Sequence, residues 1–355
     1  MYNNITMKNF DSIEKSRKSS LELLENYEYG KMPPRPLHLN VETVSEDRAY
    51  AAGKATLTSV NLKLVLEGGA QFVLPVRYAI PNGINRPPVI LHISYEGDMP
   101  NKHQPTEELC DRGFAVFTLA YESVTKNDGN FKSLAAPLLS GGRRGLSSPG
   151  KLMMWAWGAR CVMDYVKSID GKVNADCVAV VGQGILGTAA LLAGVFDERF
   201  AFVISSSSGF GGAASVKAHT APLLELKSCM PYLFAKRYAK YSGRESALPF
   251  DQSLLLSLVA PRALLISTAD DAYTEAHIQE ELSVKEANSL VHEMKSGKIS
   301  AESAYPCEVF DKNRSWRASF RLCDGFPYLS REDWAYFTEY IKSGGENEDN
   351  KSNSE

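Results

Sequence analysis

The chain has 355 residues, 44% of them hydrophobic, so it can bury one large α/β core or two modest ones, and a single domain is the simpler expectation. Its 39 basic and 42 acidic residues give a formal net charge of −3, without a run of Lys and Arg long enough to attract a polyanion. We therefore expect neither nucleic acid nor a membrane surface as partner.

The N-terminal sequence MYNNITMKNFDSIEKSRKSS contains no apolar signal-peptide core, and no run of about 18 apolar residues occurs elsewhere in the chain. These features predict a soluble, cytoplasmic protein. The chain has six cysteines without CxxC spacing, namely Cys110, Cys161, Cys177, Cys229, Cys307 and Cys323. We therefore expect neither disulfides nor a metal site, and we expect no cofactor.

The first predicted element is a charged helix over residues 12–29, which the following KMPPRP ends because proline cannot continue a helix. We interpret residues 1–38 as an N-terminal helical arm. Next, ATLTSVNLKLVLEGGAQFVLPVRYAI contains two β-rich runs, and Glu67-Gly68-Gly69 between them predicts a β-hairpin.

After the hairpin, short apolar runs alternate with helical patterns, namely VILHIS, FAVFTLA, CVAVVG, FAFVIS and RALLIS. Apolar runs without polar alternation indicate strands buried on both faces, and alternation with helices indicates a mostly parallel sheet covered on both sides. The order matches the α/β-hydrolase fold, which we assign to residues 39–343. We expect residues 121–150 to form an irregular loop over the sheet edge and residues 344–355 a disordered tail.

The segment CVAVVGQGILGTAALLAGVF predicts a buried strand, a sharp glycine-rich turn and a helix. A nucleophile elbow has this context, with GxSxG placing a serine in the turn. Here Gly182, Gly184 and Gly187 satisfy the steric need for small residues, but Gly184 has no nucleophilic side chain. A phosphate-binding turn is the alternative; it is disfavoured because GQGILG does not fit GxGxxG at a first βα unit.

Four segments are similar to successive blocks of glucuronoyl esterases and their bacterial acetyl-xylan-esterase-like relatives. These segments are MMWAWGARCVMDYV, VAVVGQGILGTAALLAGVFDERFAFVISSSSGFGGAA, ALPFDQSLLLSLVAPRALLISTADD and RLCDGFPYLSREDW. The resemblance covers most of residues 87–334. It implies an α/β-hydrolase that cleaves carboxylic esters of carbohydrates without a cofactor.

The resemblance implies a GxSRxGK elbow, in which Ser is the nucleophile, Arg helps to hold the oxyanion and Lys binds the sugar. Those positions are Gly184, Ile185 and Thr188 in this chain. The catalytic histidine of the family corresponds to Pro327, and no histidine follows His292. The chain therefore resembles a degenerate member that lacks the serine and the base.

The position of the catalytic acid stays open. The resemblance places a Glu after the GGAA segment, where this chain is shorter and carries His219. A more usual hydrolase acid corresponds to Asp270 or Asp271, which we interpret as ordinary loop carboxylates because no base remains to be oriented.

Each of the other candidate site residues has a structural interpretation beside the functional one. Ser205, in the run Ser205–Ser208, is more simply a strand end than a relocated nucleophile. Arg143 and Arg144 could bind a uronate, but a solvated loop is the simpler interpretation. Of Trp155 and Trp157, at least one should lie in the core. The helical spacing of Glu280, Glu281 and Lys285 predicts a solvated face, with His277 and His292 at its surface or boundary.

The first hypothesis is a non-catalytic α/β-hydrolase that binds a carbohydrate-like or ester ligand, or a protein partner. The second is an active carboxylic-ester hydrolase with relocated groups, such as Ser205 with His92 or His219. The third is a structural subunit. Fold resemblance does not decide among them, because function depends on the site.

Overall fold

The protein is described by a computed structural model, which covers residues 13–132, 135–139, 143–218, 228–241, 243–270, 276–295, 316 and 318–345. Residues 1–12 of the predicted arm and residues 346–355 of the predicted tail lie outside the described residues, as do His219 and Asp271.

A nine-stranded sheet forms the centre of the described structure, in the order β1-β2-β3-β5-β4-β6-β7-β8-β9. The pairs β1–β2, β2–β3 and β3–β5 are antiparallel, and the remaining pairs are parallel. The strands are β1 (His38–Asp47), β2 (Ala55–Val65), β3 (Gln71–Pro81), β4 (Pro88–Ser94), β5 (Ala115–Ala120), β6 (Asn174–Gln183), β7 (Phe202–Ser206), β8 (Ala263–Ala269) and β9 (Ser319–Cys323).

Helices connect the strands and cover the sheet. The α-helices are α1 (Ile13–Leu24), α2 (Thr106–Asp111), α3 (Tyr121–Val124), α4 (Lys151–Ser168), α5 (Ile185–Phe196), α6 (Gln252–Ser257), α7 (Ala276–Lys295) and α8 (Arg331–Lys342). A π-helical turn (Glu25–Tyr29) follows α1, and 3₁₀ turns are formed by Glu67–Gly69, Ala136–Leu138, Val216–Ala218, Pro231–Leu233, Lys236–Tyr241 and Glu245–Ala247. In the described part of the chain, no helix is both long and apolar enough to span a bilayer.

The predicted α/β-hydrolase architecture is confirmed. Each of the five apolar runs forms a strand of the parallel part, and the predicted hairpin is the antiparallel pair β2–β3, turning at Glu67–Gly69. Two strands carry no such run and were not predicted. β1 is exposed along nearly its whole length, and β9 is short and half-buried, so hydrophobic patterning does not reveal them.

Two apolar clusters pack on opposite faces of the sheet, which is why the central strands are apolar at every position. The larger cluster packs under α4, α5 and α6 and contains Trp155 and Trp157. The smaller one packs under α2 and α8 around Trp334. Side chains of one strand alternate between these clusters, and this alternation decides which residues meet at the ends of the strands.

The N-terminal segment packs directly on the larger cluster, to which Leu24 and Tyr29 contribute fully buried side chains. Gly30, at φ +85°, lies so close to the loop before α4 that a Cβ there would sit 2.2 Å from the carbonyl oxygen of Ser148. Only glycine accommodates this approach. The described part of the predicted arm is thus joined to the hydrolase core through buried contacts.

Candidate functional site

The turn from β6 into α5 has the geometry of a nucleophile elbow. Gly184 adopts φ +59° and ψ −132°, and its amide donates to the carbonyl oxygen of Ser206 at 2.8 Å. A Cβ on Gly182 would lie 2.0 Å from the carbonyl oxygen of Leu186, and one on Gly187 would lie 2.9 Å from Ser205 Oγ. The strand and helix therefore approach as closely as an elbow requires, with a glycine at the position of the nucleophile.

Tyr95, directly after β4, covers this turn. A Cβ on Gly184 would meet the Tyr95 hydroxyl at 3.0 Å, and that hydroxyl donates to the carbonyl oxygen of Gln183 at 3.1 Å. Tyr95 as a whole is 40% exposed, but burial of its hydroxyl end raises the pKa of Tyr95 to about 12. The backbone amides of Leu186 and Ile185 act in the opposite direction and lower this pKa. The phenol thus lies against the first amides of α5, the groups that would hold an oxyanion in an active hydrolase.

Ile185 and Thr188, the two other positions that differ from the elbow implied by the resemblance, carry no charge. Ile185 is partly buried against the larger apolar cluster. Thr188 is buried, and its Oγ1 lies 2.6 Å from the position that a Cβ on Gly212 would occupy. A hydroxyl in this confined place cannot replace the reach of the lysine that the resemblance implies.

The structure brings Pro327 to the elbow. The side-chain amide of Gln183, the residue before Gly184, donates to the carbonyl oxygen of Pro327. Gly184 and Pro327, the positions that the resemblance assigns to the nucleophile and the base, therefore lie near each other, and neither carries a reactive side chain. Phe326 and Tyr328 on either side of Pro327 are 82% and 63% exposed, and the Tyr328 ring stacks on His103 with centroids 6.0 Å apart.

The structure does not bring Ser205 and His92 together. Ser205 is fully buried on the α5 face of the sheet, and its Oγ has no hydrogen-bond partner among the described residues. His92 lies on the opposite face, where its Nδ1 is 2.8 Å from Gln104 Oε1 and its ring contacts Trp334 edge to face. Burial lowers the pKa of His92 to about 4, so it is a neutral core histidine.

An acid–histidine pair that sequence patterning missed lies at the carboxyl end of β8. His277 Nε2, on the first turn of α7, is 3.6 Å from Asp270 Oδ1. One turn later, Glu280 is fully buried and accepts hydrogen bonds from the Gly209 amide at 2.8 Å and from Ser208 Oγ at 3.3 Å. Burial raises the pKa of Glu280.

The prediction that Glu280 lies on a solvated face is therefore wrong. Its neighbours in the pattern, Glu281 and Lys285, do form an exposed pair, with 2.6 Å between Nζ and Oε1. The helical spacing is the same for a surface pair and for a carboxylate that anchors a neighbouring loop, so spacing alone cannot separate them.

The solvated-loop interpretation is also wrong for Arg144. Its guanidinium lies 4.0 Å from the centroid of the Phe131 ring and donates to the carbonyl oxygen of Phe234 at 2.5 Å, and burial lowers the pKa of Arg144 to about 10. Arg143 is exposed. Trp155 and Trp157 are both in the core, where at least one of them was expected.

Comparison with known proteins places this geometry in a family. A model described as "Glucuronyl esterase, fungi" matches residues 65–294, well over half of the chain. The chain belongs to the glucuronoyl esterase family. The chain is 32% identical to a carbohydrate esterase from an unknown prokaryotic organism over 195 residues, which are 54% of this chain and 44% of that protein.

The glucuronoyl esterase relatives are longer proteins. A 4-O-methyl-glucuronoyl methylesterase of Schizophyllum commune is 29% identical over 273 residues, 72% of this chain and 62% of that protein. The chain thus spans about half of the length of these curated relatives. Among solved structures, a glucuronoyl esterase from Solibacter usitatus superposes with a TM-score of 0.76 at 27% identity, covering 93% of this chain and 92% of that one.

Proposed function

We propose that this chain is a non-catalytic glucuronoyl esterase homologue, located in the cytoplasm, that uses the altered elbow to bind a carbohydrate-like or ester ligand. The observation that carries the proposal is the elbow itself: a glycine stands at the nucleophile position, and the Tyr95 hydroxyl covers it. A serine mechanism needs an Oγ, a base and free oxyanion donors. Among the described residues, Gly184 offers no Oγ, Pro327 offers no base, and the Tyr95 hydroxyl lies against the amides of Ile185 and Leu186.

The energetic consequence is large because members of a catalytic triad act as a unit. In serine hydrolases, loss of the nucleophile or the base alone lowers turnover by on the order of a millionfold. Acceleration of about a thousandfold or more can survive through binding and the oxyanion hole. Tyr95 stands against the amides of Ile185 and Leu186, so this residual route is obstructed as well.

Ligand binding is supported by what surrounds the elbow. Phe326 and Tyr328 project into solvent on a loop tethered to Gln183, and exposed rings beside polar groups are typical of ligand-binding surfaces. A structure of the Sporotrichum thermophile glucuronoyl esterase in complex with methyl 4-O-methyl-β-D-glucopyranuronate has the same fold, with a TM-score of 0.66 at 19% identity. A protein partner is the other kind of ligand that such a surface could accept.

The test is hydrolysis of methyl and benzyl glucuronate and of small acetyl esters, with an active family member assayed in parallel. We expect no saturable turnover, and saturable heat on titration of methyl glucuronate by calorimetry, lost in Tyr328→Ala but kept in Leu322→Ala, an exposed control on β9. Saturable turnover by the unaltered chain would overturn the non-catalytic proposal. Absence of binding with folded protein would leave the protein partner as the ligand.

A back-substituted variant tests whether Tyr95 blocks the site. We expect Gly184→Ser with Ile185→Arg, Thr188→Lys and Pro327→His to fold and remain inactive, because Tyr95 still covers the new Oγ. Adding Tyr95→Ala should then produce weak esterase activity. Equal activity with and without Tyr95 would contradict the role given to this side chain.

A second candidate, an active ester hydrolase with relocated groups, has one observation in its favour. Asp270 and His277 form an acid–histidine pair. Glu280 lies one turn further along α7 and accepts a hydrogen bond from the hydroxyl of Ser208. If these groups catalyse, Ser208→Ala and His277→Ala each abolish esterase activity, whereas Tyr95→Phe leaves it unchanged. Activity that persists in both variants would exclude this arrangement.

A further inference from the structure

A cavity lies far from the elbow, at the opposite end of the parallel strands. It has a volume of about 410 Å³ and opens between the end of the β1–β3 ribbon, the 82–86 turn and the turn after α4. β4 begins directly after the 82–86 turn and ends beside Tyr95, so its seven residues separate the cavity from the elbow by about 20 Å. This volume is in the range of small-molecule sites in proteins.

The floor of the cavity carries hydroxyl groups on the apolar face of the ribbon. Thr58 and Tyr78 are both buried there, on neighbouring strands in register. Tyr165 donates its hydroxyl proton to the Tyr78 oxygen at 2.9 Å. The Tyr78 proton therefore has no acceptor among the described residues and can point into the cavity, where it is a donor for an oxygen of a ligand.

The walls of the cavity carry an excess of positive charge. Arg48 pairs with Glu46 at 2.6 Å and Arg86 with Asp170 at 2.8 Å. Lys172, on the opposite wall, forms no ion pair with any carboxylate of the described chain. Three cations against two carboxylates leave about one unit of positive charge, which matches a ligand with one anionic group.

Arg86 is fixed in place at the rim. It adopts φ +47°, a conformation that non-glycine residues rarely take, and it precedes a proline. Its guanidinium holds the turn through Nε to the carbonyl oxygen of Asp170 at 3.1 Å and through Nη2 to the Asp170 carboxylate. Backbone strain that the surroundings maintain is found preferentially where a ligand is held.

We propose that this cavity binds a small polyhydroxylated oxyanion, with Lys172 and Arg86 holding the charged group and Tyr78 and Thr58 meeting hydroxyl or oxyanion oxygens on the floor. A sugar acid and a phosphorylated small molecule both combine an anionic group with hydroxyl groups, so both fit this cavity. Neither ligand would have to contact the elbow to bind here. The site is thus independent of the proposed function.

Isothermal titration at low salt, with inorganic phosphate, glucuronate and xylose as probes, tests the proposal. We expect saturable binding of glucuronate or phosphate and none of xylose at the same concentrations, with affinity falling as sodium chloride is raised. Tighter glucuronate binding assigns the sugar acid, and tighter phosphate binding assigns the phosphorylated ligand. Failure of both anions to saturate, or equal binding of xylose, overturns the proposal.

Variants locate the binding. Lys172→Ala should weaken anion binding about tenfold, the loss of one charge-assisted contact, and Tyr78→Phe should weaken it about threefold. The matched control is Lys63→Ala, because Lys63 pairs with Glu42 on the other face of the ribbon. Tyr95→Phe and Tyr328→Ala, which alter the elbow surface, should leave this binding unchanged. Binding that is lost in the elbow variants and kept in Lys172→Ala would place the anion at the elbow and refute the second site.

Discussion

The two ends of helix α5 differ in how completely their polar groups are satisfied. At its N-terminus, the amides of Ile185 and Leu186 face the phenol of Tyr95. At its C-terminus, the Arg262 guanidinium donates to the carbonyl oxygens of Gly194, Phe200 and Asp197 at 2.7, 3.0 and 3.2 Å. The N-terminal turn carries no charged side chain at Gly184, Ile185 or Thr188, whereas an arginine side chain binds the C-terminal end.

The same contrast continues in the side chain of Asp197, which follows α5. An anion at a helix C-terminus is repelled by the helix dipole, so it needs cations beside it. Arg199 binds its carboxylate at 2.6 Å, and Arg160 lies at 3.7 Å. The contacts that hold α5 in the fold are therefore separate from the residues at the elbow, so the elbow residues can change while the fold is kept.

The largest effect is expected at the stabilised end. Replacing Arg262 by methionine should lower the free energy of unfolding by about 3–5 kcal/mol, because three buried carbonyl groups lose their donor. Guanidinium denaturation measures this change in the free energy of unfolding. Arg331→Ala, whose side chain is 82% exposed, is the control and should change stability by less than about 0.5 kcal/mol. An equally small loss of stability in both variants would show that Arg262 does not stabilise the C-terminal end of α5.

A smaller effect is expected from Asp197→Asn, about 2–3 kcal/mol at neutral pH, because the partly buried Arg199 and Arg160 lose their counter-charge. Burial alone would raise the pKa of Asp197, but the bond to Arg199 and the charge of Arg160 hold that pKa below its ordinary value of 3.8. The carboxylate therefore stabilises the fold above pH 3.8, and this contribution is lost as the pH falls through the lower folded pKa.

Urea unfolding at pH 7, 4 and 3 measures the pH dependence of both proteins. The unaltered chain should lose stability over the acid range, and Asp197→Asn should lose less over the same range. Parallel curves for the two proteins would contradict the assignment of this acid sensitivity to Asp197.

The smallest effect is expected at the elbow. Gly184→Ser should cost about 1–2 kcal/mol, because a side chain at φ +59° is strained and its Cβ meets the Tyr95 hydroxyl at 3.0 Å. In a Tyr95→Phe background the contact is absent, and the cost should fall by about 0.5–1 kcal/mol. A double-mutant cycle measured by denaturation gives the coupling free energy between Gly184→Ser and Tyr95→Phe. A coupling of zero would show that the Tyr95 hydroxyl does not contact the side chain at position 184.

The fold was predictable because its parallel strands are buried on both faces and therefore read as continuous apolar runs. The elbow turn was predictable from its glycines, since close packing at Gly182 and Gly187 excludes any side chain. These are local constraints, and each is encoded within a few residues of the position it concerns.

The rest depends on contacts between distant segments. Tyr95 reaches the elbow from a strand about ninety residues earlier, and no spacing rule connects the two. Glu280 was misread because its helical neighbours are exposed, whereas its own side chain is directed at the Gly209 amide. The cavity beside Arg86 is lined by the ends of three strands, the 82–86 turn and the turn after α4, and periodicity does not encode how these segments meet.

Gly184 has a consequence for how much further change the chain can tolerate. A serine at φ +59° would hold the turn in a strained state that the rest of the molecule must support, whereas glycine adopts it with little penalty. The homologue keeps the shape of a catalytic turn without that penalty. The stability margin of about 1–2 kcal/mol is then available to offset destabilising substitutions at neighbouring positions such as Ile185 and Thr188.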